Sequence, residues 1–457
     1  MLNNKEDKIL ERIYIKATYQ LTSPCIIGSG EDNITDIDIT RDAANNPFIP
    51  GTSLTGVLRN YLKKVIKNDN NLSNLFGFSN KHERLQSKLF ISDVRIEKSE
   101  HLTNSIIIRD GVKLNENTKT AMDKSKYDFE LIEAGTTFTM KFEVVLRKKD
   151  NREALKHCLY ILMMGLINEK IRIGAKTNRG YGRGKVLEDS VKILELDFTR
   201  SDKVDEYFSL WLNFDWSNIT GNYPLESLKS KNMVVETNFS TNTKLTVSLN
   251  LPYSLIIRTY NKNPGGTDYS HIKTGKKNVI PGTSWAGGIR HHSKKILDIL
   301  LPDTKDTTNS EVIKDLFGYL EKETKETKSS RIIIEESTVE DTSELDNTRV
   351  KIDRFTGGAV NSALFSATPI YNGTTQLKIE IEEAKEYEIG LLLLVIKDLQ
   401  QGFLPIGGET SIGRGIFEGE KIQLEYNNKN ITVTVEMENK YLKALFDELI
   451  KQKEGNK

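Results

Sequence analysis

The stretch "FIPGTSLTGVLR" at residues 48–59 returns nearly intact as "VIPGTSWAGGIR" at 279–290. Pro50 and Pro281 stand 231 residues apart, and "YGRG" (181–184) and "IGRG" (412–415) repeat at the same interval. Between these, "NLFGF" (74–78) answers "DLFGY" (315–319), "VKLNENTKTA" (112–121) answers "VKIDRFTGGA" (350–359), and "GTTFTMKF" (135–142) answers "GTTQLKI" (373–379). Landmarks in one order, separated by small insertions, mark a tandem duplication.

Each copy reads as the same run of elements. Ile13, Ile15, Ala17, Tyr19 and Leu21 alternate as a strand does, and Leu245, Val247, Leu249 and Leu251 repeat the pattern. A polar loop follows, and Pro-Gly-Thr-Ser then opens a helix. In the first copy Leu54, Val57, Leu58, Tyr61, Leu62, Val65 and Ile66 form its single apolar stripe, with Ser53 as the expected N-cap. Strands are expected at "KLFISDVRI" and "RIIIEEST", and again near 136–146 and 374–382. A second helix fits 151–168 and 385–400, before a glycine-rich loop and a last strand. The order is βαββαβ, an α+β fold of ferredoxin-like (RRM-like) type, present twice. The expected division is 1–200 for the first domain, 201–240 for a linker, 241–440 for the second domain, and 441–457 for a C-terminal helix and tail.

Composition narrows the functions. Across 457 residues, 65 Lys and Arg balance 64 Asp and Glu, so any nucleic-acid surface must be made by local clusters rather than bulk charge. Two cysteines, Cys25 and Cys158, exclude a disulfide framework and a cysteine zinc site. No apolar run is long enough to span a membrane, and "MLNNKEDKIL" has no signal-peptide core, so a cytoplasmic protein is expected.

The first glycine loop, "IRIGAKTNRGYGRGKV" (171–186), carries Arg172, Lys176, Arg179, Arg183 and Lys185. Glycines let a backbone approach phosphate, and guanidinium forks suit phosphate and stack on bases. The loop is not a nucleotide P-loop, because Arg179 stands where that motif needs glycine and Val186 follows Lys185. Alone the loop reads equally as a tight helix-to-strand turn with solvated charges; paired with the repeated helix-opening motif, it reads as an RNA-backbone site. The second loop keeps Arg414 but adds Glu409, Glu418 and Glu420, so the first is expected to hold RNA more tightly. Arg59 and Arg290 take matching places just past the first turn of the repeated helix, where amides and dipole favour phosphate.

Together the helix-opening phrase and the glycine loops "NRGYGRGKV" and "SIGRGIF" resemble the RAMP superfamily of CRISPR-associated proteins, over about 13–196 and 243–427. "VKIDRFTGGA", which contains Arg354 as a further RNA-contact candidate, is similar to a motif of the repeated backbone subunits of type III effector complexes. The resemblance implies a backbone subunit with two units fused in one chain, partnered by guide RNA, target RNA and other RAMP-type subunits. It further implies a hairpin thumb wedged between bases, and an aspartate after the first strand that cuts target RNA with a divalent cation, Mg²⁺. Asp36 lies five residues before Arg41, and Asp268 five before Lys273, which makes them the candidate catalytic and metal-binding residues. Asp32, Asp38 and Asp42 remain alternatives in the first loop. From below, one carboxylate beside a splayed RNA backbone suffices for attack by the RNA's own 2′-OH. Two other readings stay open: a non-catalytic scaffold, and a guide-processing endoribonuclease with the adjacent His291 and His292 as acid–base pair, although His292 falls on the apolar stripe; His271, in the second loop, is a further RNA-contact candidate.

Overall fold

The computed structural model describes residues 7–30, 34–66, 69–96, 105–115, 120–221, 223–230, 242–260, 266–301, 307–321, 326–426 and 429–455. The chain resolves into two compact units, one of residues 1–111, 127–177 and 181–240, the other of residues 112–126, 178–180 and 241–457.

In the first unit the central strand is β1 (Ile9–Leu21), and α1 (Gly51–Val65) follows the polar loop. Two short strands come next, β2 (Leu89–Ile91) and β3 (Val94–Ile96). A hairpin of β4 (Ile106–Leu114) and β5 (Ala121–Ile132), whose residues 112–126 group with the other unit, leads into β6 (Thr137–Arg147). The unit continues with α2 (Arg152–Ile167), β7 (Gly184–Val186) and β8 (Lys192–Asp197). The sheet is antiparallel, with β1 between β6 and the final strands: Ile13 lies opposite Val144 on one side and Glu195 on the other. This is the ferredoxin-like order, fourth, first, third, second. Ile13, Ile15, Ala17, Tyr19 and Leu21 are all buried, as the alternation requires, against Leu54, Leu58 and Leu62 of α1 and Leu155, Leu159 and Leu162 of α2.

The second unit repeats the plan. Its core strand is β9 (Thr243–Asn250), followed by the loop strands β10 (Arg258–Tyr260) and β11 (Tyr269–His271). Then come α3 (Gly282–Leu300), β12 (Ile332–Ile334) and β13 (Ser337–Glu340). The hairpin is β14 (Asn347–Ile352) with β15 (Ala359–Thr368), and β16 (Thr374–Ile381), α4 (Glu386–Gln400) and β17 (Ile422–Tyr426) complete the fold. Leu245 pairs with Ile379 and Leu424, as its counterpart does in the first unit. The last helix, Val435–Gly455, packs Tyr441, Leu445 and Leu449 inward.

The repeated Pro-Gly has a packing reason. Gly51 and Gly282 open their helices hard against a neighbouring strand end, where a Cβ would lie 2.6 Å from the Ile91 carbonyl oxygen and 2.3 Å from that of Ile334. Ser53 is not the N-cap: the helix begins two residues earlier behind Pro50, and the Gly51 amide donates to the Asp93 carboxylate at 2.8 Å. A cap from a distant element satisfies that amide, so the hydroxyl expected to do so is not needed.

Residues after β8 turn back onto the outer face of the first sheet, where Tyr207 and Ile219, with Phe214 and Trp216 beside them, cover Tyr14, Leu194 and Leu196. Tyr14 stacks on Phe214 at 4.0 Å. Expected linker residues 231–240 lie outside the described residues.

Candidate nucleic-acid interface

RRM-type modules read RNA with aromatics on the open sheet face. Here that face is sealed in the first unit by the segment after β8. In the second it carries Lys244, Thr246, Ser248 and Asn250 along β9, with no aromatic in that strand. The chemistry is concentrated instead in the loop after the first strand, the hairpin and the glycine loop.

In the first loop the candidate carboxylates separate by role. Asp38 is 5% exposed and accepts from the Ile34 and Thr35 amides and the Thr35 hydroxyl; Asp42 accepts from the Ala44 and Asn46 amides. Both are turn-building residues. Asp32 lies outside the described residues. Asp36 accepts from the Asp128 amide at 2.8 Å, while the Asp36 amide donates to the Asp128 carboxylate at 3.0 Å. Asp268 does the same in the second unit: its carboxylate accepts both the amide and the hydroxyl of Ser366, each at 2.8 Å, and its amide donates to the Ser366 hydroxyl at 2.9 Å. Asp128 and Ser366 sit on β5 and β15, the returning strands of the two hairpins. The backbone carries the same tie, as a Glu130 amide to Ile37 carbonyl bond and as a parallel Tyr269–Ala367, Ser270–Thr368 ladder. The Ser366 bonds hold the Asp268 carboxyl below the usual carboxylate range.

The basic residues that follow brace their loops. Arg41 pairs with buried Glu130 at 2.5 Å, and Lys273 with Glu344 at 2.6 Å. His271 is turned inward, its Nδ1 accepting the Ile257 amide and its Nε2 bonded to the Val279 carbonyl, and burial pushes its pKa down to about 4. His292 is buried, with Nε2 2.6 Å from the Asp398 carboxylate. Neither is presented as a catalytic acid or base.

The glycine loops correct the sequence register. The Ile173 amide bonds the Gly182 carbonyl and the Gly182 amide the Pro24 carbonyl, just as Ile406 does with Gly415 and Gly415 with Ser254. The loops therefore match at an interval of 233, not 231, so Arg414 stands opposite Tyr181 rather than Arg183, and Glu409 opposite Lys176. Identical "GRG" letters had aligned the wrong glycines.

The surroundings differ accordingly. Lys176 sits 4.6 Å from the Tyr127 ring centroid and 4.0 Å from that of Phe129. Glu409 is the focus of Arg258 at 2.7 Å, Arg349 at 2.5 Å and Arg414 at 2.9 Å. Burial pushes the Glu409 carboxyl up, but bonds from Arg258 and Arg349 and the charges of Arg349 and Arg414 outweigh it and hold it low. Among the other candidates, Arg183 pairs with Glu169 at 2.6 Å, Arg179 is exposed, and Arg59, Arg172, Lys185 and Arg290 are half-buried. Arg354 is exposed at the second hairpin's tip, in a turn held by the Asp353 carboxylate; the adjacent Phe355 is 99% exposed. Sequence reasoning missed Asp128, Ser366, Arg258 and Arg349; only comparison of the two copies at corrected register points to the arginines.

No group of three or more His, Cys, Asp or Glu is placed to hold a metal ion among the described residues. Mg²⁺ is often held by one or two carboxylates with substrate phosphates and waters, a mode that exposed Asp36 and Asp268 fit. No described helix is long and apolar enough to cross a membrane.

No curated protein matches the chain. The family profile of the RAMP superfamily matches residues 18–185 and 249–418, one tract in each repeat. The chain belongs to the RAMP superfamily, which includes CRISPR-associated RNA-binding proteins, and carries the family unit twice.

Proposed function

We propose that this chain is a guide-RNA-binding backbone subunit of a type III CRISPR effector ribonucleoprotein, assembled with other RAMP-type subunits, and that it cuts complementary target RNA at two points. The observation that carries the reading is the shared placement of Asp36 and Asp268. Two loops of unlike sequence each present one aspartate, bonded in the same way to the returning strand of a hairpin. A thumb that splays the guide–target duplex thereby sets a carboxylate beside the distorted backbone.

Arg59, Arg172, Lys176, Arg179, Arg183, Lys185, Arg290, Arg354 and Arg414 contribute cations to the RNA path, and Phe355 offers a ring for stacking. At the cut, the 2′-OH attacks the adjacent phosphorus in line, and the bond to the 5′ oxygen breaks as that oxygen takes a proton from solvent to leave as a hydroxyl. Asp36 or Asp268 accepts the 2′-OH proton. Asp36 or Asp268 would be the residue to hold a Mg²⁺, which would supply charge neutralisation at that phosphate.

The test is cleavage of an end-labelled target by the assembled complex. Asp36→Ala should remove one product and Asp268→Ala the other, with target binding retained and chelator stopping both. An unchanged pattern from the double variant favours the scaffold reading. Guide processing through the adjacent histidine pair is disfavoured by the burial of His292 against Asp398.

A further inference from the structure

We infer that Asp128 and Ser366 are positioning residues that latch each loop aspartate to its thumb hairpin. The inference rests on the cleavage reading and extends it to residues outside the repeated motifs. Asp36 and Asp268 are exposed and sit on irregular loop, where an unrestrained carboxylate samples several rotamers. Each is held at both ends: its amide donates to the side chain of the hairpin residue, and its carboxylate accepts that residue's amide. One copy uses a carboxylate for the returning bond and the other a hydroxyl, so one geometry is reached by two chemistries. That recurrence is the independent evidence for function, since an incidental contact has no reason to survive replacement of its acceptor. The consequence is that hairpin and carboxylate move together, so that seating the thumb seats the cutting group.

Misplacing a catalytic group by about 1 Å costs up to about a hundredfold in rate. In the full chain assembled with its guide, Asp128→Ala should slow the Asp36-dependent cut about tenfold or more at saturating target and leave the Asp268-dependent cut unchanged. Ser366→Ala should do the reverse. Asp128→Asn keeps the acceptor for the Asp36 amide and should restore the rate, as should Ser366→Thr. Hydrogen exchange gives a readout free of activity: the Asp36 amide should exchange faster in Asp128→Ala but not in Asp128→Asn. Both hairpin residues are half-buried surface positions, and thermal midpoints check that each variant folds. Wild-type rates and exchange in both alanine variants would overturn the latch. Full cleavage by the Asp36→Ala, Asp268→Ala double variant would instead overturn the nuclease reading and, with it, any role in positioning.

Discussion

Glu409 occupies in the second glycine loop the left-handed backbone position that Lys176 occupies in the first, with φ of 58° and 54°. The charge reversal is compensated around it. Arg258, Arg349 and Arg414 take the places of Gly28, Gly111 and Tyr181, so three guanidiniums surround one carboxylate where the first copy sets one ammonium over rings. The expected ranking set five basic residues of the first loop against Arg414 and nearby acids in the second, and Arg258 and Arg349 now add cations beside Glu409 that this count did not include. Glu409→Gln should therefore tighten RNA binding and steepen its salt dependence by about one counterion. It should also destabilise the second unit, by about 3 kcal/mol or less, because Arg414 is 6% exposed and loses its counter-charge while the other two remain partly solvated. Anisotropy titrations across a salt series decide it; an unaltered slope would place these arginines away from the RNA.

The helix-opening glycines give a prediction about folding. Gly51→Ala and Gly282→Ala each push a methyl group into a backbone carbonyl that cannot swing aside, and each should cost about 1–3 kcal/mol. Gly56, on the same helix as Gly51, has no atom within 4 Å of its would-be Cβ. Gly56→Ala should stabilise by up to about 1 kcal/mol through helix propensity alone. Thermal melts of the three variants should split in sign, and a loss in Gly56→Ala matching that in Gly51→Ala would discard the close-approach account.

Phe355 tests the hairpin. With 99% of its surface exposed it contributes no packing, so Phe355→Ala should leave the melting temperature unchanged. If its ring stacks on a base, the variant should lose about 1–3 kcal/mol of RNA affinity. Equal affinity of the two proteins for guide-paired target would remove Phe355 from the interface.

Periodicity made the fold legible. The alternation at Ile13–Leu21 and the stripe from Leu54 to Val65 place the right residues in the core because both follow from burying one face of a regular element. Spacing to the next basic residue also selected Asp36 and Asp268, each of which the fold bonds to the returning strand of its hairpin. The partners escaped because Asp128 and Ser366 lie 92 and 98 residues along the chain from the aspartates they hold, with no local pattern to mark them. The glycine-loop register escaped for a different reason. Letters repeat, but hydrogen bonds define which glycine is which, and a two-residue slip exchanged Tyr181 for Arg183 as the counterpart of Arg414.

His271 supplies the pH prediction. Its Nδ1 accepts the Ile257 amide, so the neutral ring must carry its proton on Nε2, where Val279 accepts it. Desolvation by burial is the main cause of a pKa of about 4 against 6.5 in the unfolded chain, and protonating Nδ1 would also set two donors face to face. The sign follows from proton counting. Between those values the unfolded state binds the additional proton, so the contribution to stability is full above pH 6.5 and is lost as pH falls toward 4. The loss at pH 5 should be roughly 2 kcal/mol from this residue. Urea unfolding at pH 7.5 and 5 should show His271→Gln with a smaller acid loss than the wild type by about that amount. The imidazole resonances of His271 should remain in their neutral positions at pH 5. A histidine titrating near 6.5 would mean that the ring is solvated in the loop, and would return it to the list of groups able to meet RNA.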